Sequence, residues 1–433
     1  MRLKLFLFFV IVSLSAFGGA LGTMIIPSYE RMIKGALVVS DGTMIMLGLS
    51  SVFTHRNFYG VRLWLLFVFS AVLTIILTSD RFGMVEQLNG MRGLLFFFAS
   101  LVVVYDLYMS DLRRQFVDLM TKFIIVYAIV QIPFAVYQFL KYGASDAVGG
   151  TFGLVGGSGM LSQILYIICF YLLVRYASLD DGSHFKIGKT MLFIPLLIPT
   201  MLNETKISFV LLPVFLLLIV AARRKIFRSI AILLMGAVIA FMLNYFYSET
   251  VQDTRNLLDQ DYFEQYLLHV NPQSGEDLPR LQRLAIMFQM MGKDVGAITL
   301  GMGYGVMGGG SVMNVSRLGR RLYYLVTGSR ILLFSVWIQG GLLAVLVVGA
   351  TMFRFAWRRP HYPYVRRRFH LFLLFSLLLV WFYNEAMTER LFALLIWFFV
   401  VWLAGQTDED EHSDVGDEQD DGAAEASPVV PQQ

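Results

Sequence analysis

Apolar residues in this chain fall in long blocks separated by short polar links. A helix needs roughly 20 apolar residues to cross the hydrocarbon core of a bilayer, with a working range of about 17–25. Twelve blocks are read this way, near 3–22, 35–53, 61–78, 93–109, 117–140, 159–177, 189–203, 206–222, 226–247, 330–353, 369–384 and 390–405. The pattern predicts an all-α polytopic membrane protein of about twelve transmembrane helices. The 189–203 block is short and holds Pro195 and Pro199, which predicts a kinked helix. The last two blocks are read as separate crossings, with one re-entrant hairpin as the alternative. The first block also fits a cleaved signal peptide, since Arg2 and Lys4 form an n-region and Ala16, Gly18, Gly19 and Ala20 are small. A retained span is preferred, because it is the longer and more evenly apolar reading and gives an even count of crossings.

Composition narrows the class. The 433 residues are 57% hydrophobic and 15% charged, against about 45–50% and about 25% in an ordinary soluble domain. A soluble enzyme, a disordered chain and a disulfide-stapled secreted domain are excluded. The single cysteine, Cys169, rules out an intrachain disulfide and a cysteine-based metal cage. Lysine and arginine set the orientation, because cytoplasmic loops retain the excess. With the N-terminus inside, 19 of the 35 basic residues are cytoplasmic, seven lie in short outside loops, eight in one long outside loop, and Lys122 within a span. Both termini are then cytoplasmic. The spans themselves read as nearly free of charge, with Asp106, Lys122 and Glu385 at or near their ends.

Three polar regions interrupt the blocks. The outside loop 141–159 carries six glycines in the eleven residues from Gly149. Such backbone allows close approach and exposed amides, which suits an anion or a sugar, and equally suits a plain flexible loop. The outside loop 248–329 is much the longest. Within it, Leu281, Leu284, Ala285 and Phe288 share one helical face, Pro279 suits the first turn, and Arg280 and Arg283 flank the face. That helix is expected to lie along the membrane surface with its guanidiniums near the headgroups. Residues 406–433 hold ten acidic residues and no Lys or Arg, the composition of a disordered tail appended to the 1–405 membrane domain. The formal net charge of +4 thereby conceals a basic body: without those ten, 35 basic residues face 21 acidic ones, a net of +14.

Twelve spans, both ends inside and one large outside loop between the ninth and tenth resemble the O-antigen ligase and O-antigen polymerase (Wzy-type) superfamily of bacterial inner-membrane glycosyltransferases, the GT-C class. The resemblance covers nearly all of the chain except the tail. Gly150-Thr-Phe-Gly153 looks like the family's stretch ahead of the sixth span. Glu204-Thr-Lys-Ile-Ser208 sits where the family carries a Ser-Arg pair, with Lys206 in place of the arginine. Arg280-Leu-Gln-Arg-Leu284 satisfies the large loop's R-x-x-x-L motif, and Leu300-Gly-Met-Gly-Tyr-Gly305 is similar to its Gly-x-Gly turn. Ser329-Arg330 followed by Gly340 echoes the ligase pattern of His-Asn, nine residues and Gly. Ligases carry a histidine where Ser329 stands, so this departure favours a polymerase and leaves the base unassigned.

The resemblance implies a donor glycan on undecaprenyl pyrophosphate and an acceptor glycan at the outer face. It also implies inverting displacement of the lipid pyrophosphate, with neither cofactor nor metal. Cations must then stabilise the leaving group and a base must take the acceptor's proton. Arg280 is the first cation candidate, followed by Lys206 and Arg283, with Arg255 and Arg330 in a wider outside set. For any one of them the plain alternative is headgroup contact or solvation. For the base, His269 is the one histidine outside the membrane on this topology, though a loop histidine is usually a solvated surface residue. Glu204, Glu385 and Glu389 are rivals at outside helix ends, and Glu389 also fits a simple pairing with Arg390 or a cap on the last span. Tyr262, Tyr266, Tyr304, Tyr323 and Tyr324 suit either sugar stacking or the interfacial belt. Expected partners are the lipid-linked donor and acceptor, membrane lipids and a polysaccharide chain-length regulator, and no nucleic acid. A ligase is the second reading. A transporter of polysaccharide or lipid-linked sugar is the third, disfavoured by the absence of an internal repeat and of charge within the spans.

Overall fold

A computed structural model of the chain describes residues 1–143, 147–154, 157–177, 193–203, 206–221, 280–307, 322, 325, 330–357 and 364–405. It is 87% helical, with no strand among the described residues. The helices are α1 (Arg2–Ala20), α2 (Glu30–Thr54), α3 (Tyr59–Leu77), α4 (Met84–Tyr108), α5 (Arg113–Tyr142), α6 (Ser158–Leu172), α7 (Ile198–Leu202), α8 (Lys206–Ala221), α9 (Arg280–Met291), α10 (Val295–Leu300), α11 (Leu332–Trp357), α12 (Tyr364–Tyr383) and α13 (Arg390–Gly405). Seven helical stretches are long and apolar enough to cross a membrane: Arg2–Ile25, Pro27–Thr54, Tyr59–Leu77, Met84–Tyr108, Arg113–Tyr142, Ser158–Tyr176 and Leu332–Arg354. Two shorter apolar helices lie within α8 and along α13. Around Pro195 and Pro199 the expected kinked span contains a 3-10 turn, Ile194–Leu197, followed by the five residues of α7. The expected span 226–247 lies outside the described residues.

Two kinds of apolar surface distinguish the helices. In α13 every residue from Leu391 to Leu403 is buried, as befits a helix that is hydrophobic on all sides. It packs on α4, where Phe97 and Phe98 are closed off, and the Trp397 indole donates to the Phe97 carbonyl at 2.9 Å. By contrast α3 exposes Leu65, Phe69, Val72 and Ile76, and α5 exposes Val126, Ile129 and Leu140, a surface suited to lipid tails. The first helix is built into the bundle: Phe8, Val12 and Ala16 are fully buried.

Polar clasps close one end. Asp106 accepts from Lys4 (2.6 Å) and Ser51 (2.8 Å) and meets His55 Nε2 at 2.7 Å, tying α1, α2 and α4. Arg113 donates to the Gly405 carbonyl at 2.8 Å, so the C-terminus of α13 belongs to this end too. Arg390, at the start of α13, therefore stands at the opposite end of the bundle. The 16 residues of α13 span only about 24 Å, against about 37 Å for the 25 residues of α2 or α4. The start of α13 is thus recessed below the ends of its longer neighbours.

At that recessed end the glycine-rich turn after α10 meets a break in α11. Gly341 interrupts the helix at φ +66, and the carbonyls it frees are met by the turn: Met302 donates to Ile338 (2.8 Å) and Gly303 to Gln339 (3.2 Å). A Cβ on Gly341 would lie 2.3 Å from the Thr299 carbonyl carbon. The Gly-x-Gly turn is therefore a backbone-to-backbone joint. Gly341→Ala should lose at least about 1–2 kcal/mol to the left-handed φ alone, with the backbone clash adding to it. A lowered unfolding temperature of the detergent-solubilised protein would show this, and an unchanged one would mean that the joint is not required.

Candidate functional site

Three arginines from different parts of the chain converge at the recessed end. Asp41 lies eleven residues into α2, about 16 Å from its start, and only 2% of its surface is exposed. Its carboxylate takes both nitrogens of an Arg390 fork, Nε and Nη2, the latter at 2.7 Å. Arg92, inside α4, brings Nε to 2.8 Å from the same carboxylate. A charge is tolerated at such depth only when paired or facing a cavity, and here one carboxylate serves two guanidiniums. Beside this trio, Arg330 Nε donates to Glu385 Oε1 at 3.0 Å, while Ser335 donates to Oε2 at 2.6 Å. The 384–389 segment between α12 and α13 carries the remaining groups. Asn384 donates to Gln163 of α6 (2.9 Å) and accepts from the Leu332 amide through its carbonyl (2.9 Å), which ties α6, α11 and α12 together.

Glu389 sits between the two ion-pair groups. It is half-buried. Burial pushes its carboxyl above the usual carboxylate range; Arg390 and Arg330 oppose the shift, and Glu385 and Asp41 reinforce it. The simple pairing of Glu389 with Arg390 expected from sequence does not form, because Asp41 holds Arg390.

The glycine-rich loop closes the same end differently from expectation. Gln138 of α5 accepts from the Gly150 amide (2.7 Å) and donates to its carbonyl (2.9 Å), and Gln131 accepts from the Thr151 amide (2.9 Å). These two amides are spent inside the protein and are not open to an anion. Tyr304 is likewise in neither an interfacial belt nor a sugar groove. It is fully buried, edge-on to Phe67, with its ring against Gly340.

Of the candidates read from sequence, Arg330 is in this site. Arg283 is not: it is fully buried and donates to the Leu325 carbonyl at 2.8 Å, beneath a small apolar core containing Phe82, Met287, Met291 and Phe334. The expected helix forms as α9, but it is rotated. Arg283, Met287 and Met291 face inward, whereas Ala285 and Phe288 are exposed. The expected headgroup position of Arg283 is thereby corrected. Arg280 and Lys206 begin α9 and α8, and only their backbone is described. Asn203, just before α8, donates to Ser158 (3.2 Å) and Ser162 (2.9 Å) of α6, which places the start of α8 at this same end. His269, Glu204 and Arg255 lie outside the described residues, as do Tyr262, Tyr266, Tyr323 and Tyr324.

Asp41 does not stand out in a sequence whose spans read as nearly uncharged, and Arg92, expected in a short outside loop just before the 93–109 block, lies inside α4. The signal was present: Asp41 stands inside the 35–53 block with no basic residue within one turn on either side. Among the described residues no group of three or more His, Cys, Asp or Glu is placed to hold a metal. At the other end, a cavity of about 520 Å³ is lined by His55, Arg56, Phe58, Tyr105 and Arg354. Its neighbour Asp106 is fully occupied by the clasp, and Arg56 and Arg354 are exposed. No family model and no curated protein matches the chain.

Two consequences are measurable. Asp41→Ala strands two arginines in the bundle and should cost about 3–5 kcal/mol, read as a large loss of thermal stability; a variant as stable as the parent would show that the trio is not a support. Glu389 acts in the other direction. Its carboxyl is raised in the folded state, so its contribution is complete below the ordinary glutamate range and is lost as pH climbs through the raised value. Unfolding temperatures of the parent and of Glu389→Gln should therefore diverge with rising pH, the parent losing ground. Parallel curves would remove the assignment.

Proposed function

We propose that the protein is a bacterial inner-membrane polymerase that joins undecaprenyl-pyrophosphate-linked oligosaccharide repeat units at the outer face, making O-antigen, capsule or exopolysaccharide. It is on this reading a metal-independent, inverting glycosyltransferase with about twelve spans and both termini in the cytoplasm. The observation that carries the proposal is the convergence of Arg92, Arg330 and Arg390 in a recess at one end of the bundle. That end coincides with the outside face in the partition of basic residues along the sequence. Arg92 keeps 32% of its side chain accessible and Arg330 keeps 25%. Guanidiniums so placed suit a pyrophosphate that gains charge as it leaves. Lys206, whose helix begins at the same end, and Arg280 extend the cationic lining on this reading.

The buried Asp41–Arg92–Arg390 trio also favours a second reading, a transporter of lipid-linked sugar, because charge inside spans is common in that class. A ligase that moves the glycan to a distinct acceptor shares the same chemistry. One experiment sorts the three: the purified full-length chain is given undecaprenyl-pyrophosphate-linked oligosaccharide in vesicles. A polymerase yields a ladder of longer glycans. A ligase yields product only when a second acceptor is added, and a transporter changes only sidedness. Arg280→Ala, Lys206→Ala and Arg330→Ala should each slow elongation by about 100-fold or more while the protein still inserts. Full-length glycan from all three would refute the proposed phosphate site.

A further inference from the structure

The two carboxylates of the 384–389 segment differ in one respect that matters for proton transfer. Glu385 is committed on both oxygens, to Arg330 and to Ser335. Asp41 likewise is committed, to Arg390 and Arg92. Glu389 has no side-chain hydrogen bond or ion pair among the described residues, although five charged groups, Arg390, Glu385, Asp41, Arg330 and Arg92, lie within electrostatic range. A cation that sat on Glu389 would lower its basicity and block its oxygens. The adjacent Arg390 is the obvious candidate for that position, and Asp41 draws it away. Glu389 is also held rigidly: its amide donates to the Ala386 carbonyl at 2.9 Å, its own carbonyl accepts from Ala393 at 3.0 Å, and Thr388 is fixed through the Glu385 carbonyl. The residue thus stands at the junction of a 3-10 turn and the first turn of α13, within electrostatic range of both arginine groups.

We infer that Glu389 is the general base of the glycosyl transfer, with Asp41 as the positioning residue that keeps Arg390 off it. This rests on the polymerase reading. In the step, Glu389 takes the proton of the acceptor hydroxyl. The oxygen's electron pair forms the bond to the anomeric carbon, and the bond from that carbon to the pyrophosphate oxygen breaks. The leaving undecaprenyl pyrophosphate carries off that electron pair beside Arg92 and Arg330. Glu389 then gives its proton to water, and no other reactant is required. A carboxyl whose pKa is held above the usual range is a stronger base than an exposed glutamate, and base catalysis of this kind contributes about 10²–10⁴-fold.

The test uses the full-length protein in vesicles with undecaprenyl-pyrophosphate-linked oligosaccharide, isolated from a strain deleted for this gene. Glu389→Gln, which keeps the shape and removes the basicity, should lower kcat by about 100-fold or more and leave KM within a few-fold. It should also lose the acid limb of the pH–rate profile. Glu389→Asp should recover part of the rate with the acid limb restored. If the parent elongates the glycan and Glu389→Gln elongates it within a few-fold of the same rate and pH profile, the base assignment is wrong and the polymerase reading stands. If the parent only transfers glycan to a second acceptor, the polymerase reading falls, and the same variant then decides the base of the transfer. If the parent performs no transfer, both fall together.

Discussion

The interaction on which the recessed end depends is the Asp41 carboxylate with two guanidiniums on it. An ionised group taken from water into a helix bundle carries a penalty of several kcal/mol, recovered only by close pairing and hydrogen bonding. Asp41 meets that condition by joining α2, α4 and α13 at one point. Each helix alone would be a poor host. Asp41 in α2 or Arg92 in α4 would otherwise force the span to shift until the charge reached water. Their pairing fixes the depth of both helices relative to α13, and so fixes where the 384–389 segment falls.

Depth is set a second time by length. The short α13 ends below the rim of α2 and α4, and a segment that turns at that level carries polar backbone into a region normally closed to water. Its polar groups are met from several sides: Asn384 by Gln163 and the Leu332 amide, Glu385 by Arg330 and Ser335. The Gly301–Tyr304 turn does the same for the carbonyls freed where α11 breaks at Gly341. Irregular backbone at such depth is viable only where protein or a water-filled cavity surrounds it. Helix breaks, short helices and buried charge coincide here because each supplies the partners the others need.

Much of this was legible in the sequence, and the boundary between what was and was not has a physical cause. Long apolar blocks reveal helices because length and hydropathy are local properties, and α1 to α6 and α11 follow directly. The amphipathic stretch 280–291 revealed a helix but misreported its inward face, because Arg283 is apolar along most of its length and can be buried once its head finds the Leu325 carbonyl. The glycine-rich loop from Gly149 suits ligand-facing amides or a plain flexible loop, yet the amides at Gly150 and Thr151 serve side chains of α5, as those at Met302 and Gly303 serve the backbone of α11. Asp41 and Arg390 are 349 residues apart in the chain. No window along the sequence joins them, although an unpaired aspartate inside a span already requires that some partner exist. Arg330, by contrast, was reached through a motif echo and is one of the converging cations.

Stability and chemistry at this end therefore share one electrostatic balance. Among the described residues three guanidiniums face three carboxylates at this end, and two of those carboxylates hold all three guanidiniums between them. The third, Glu389, is then left beside its sequence neighbour Arg390 without bonding to it. Had the pairing been sequential, Glu389 with Arg390 and Asp41 with Arg92 alone, the charge count would be identical. Every carboxylate would then be neutralised by its own cation, and none would be a useful proton acceptor. Sharing Asp41 between two arginines concentrates the pairing on a deeply buried residue and frees Glu389, which keeps part of its surface accessible. A group kept ionisable, enclosed and unbonded in this way is costly to the fold, since burial opposes its charge. That cost is what distinguishes Glu389 from the supporting pairs around it, and it falls on the residue proposed as the base.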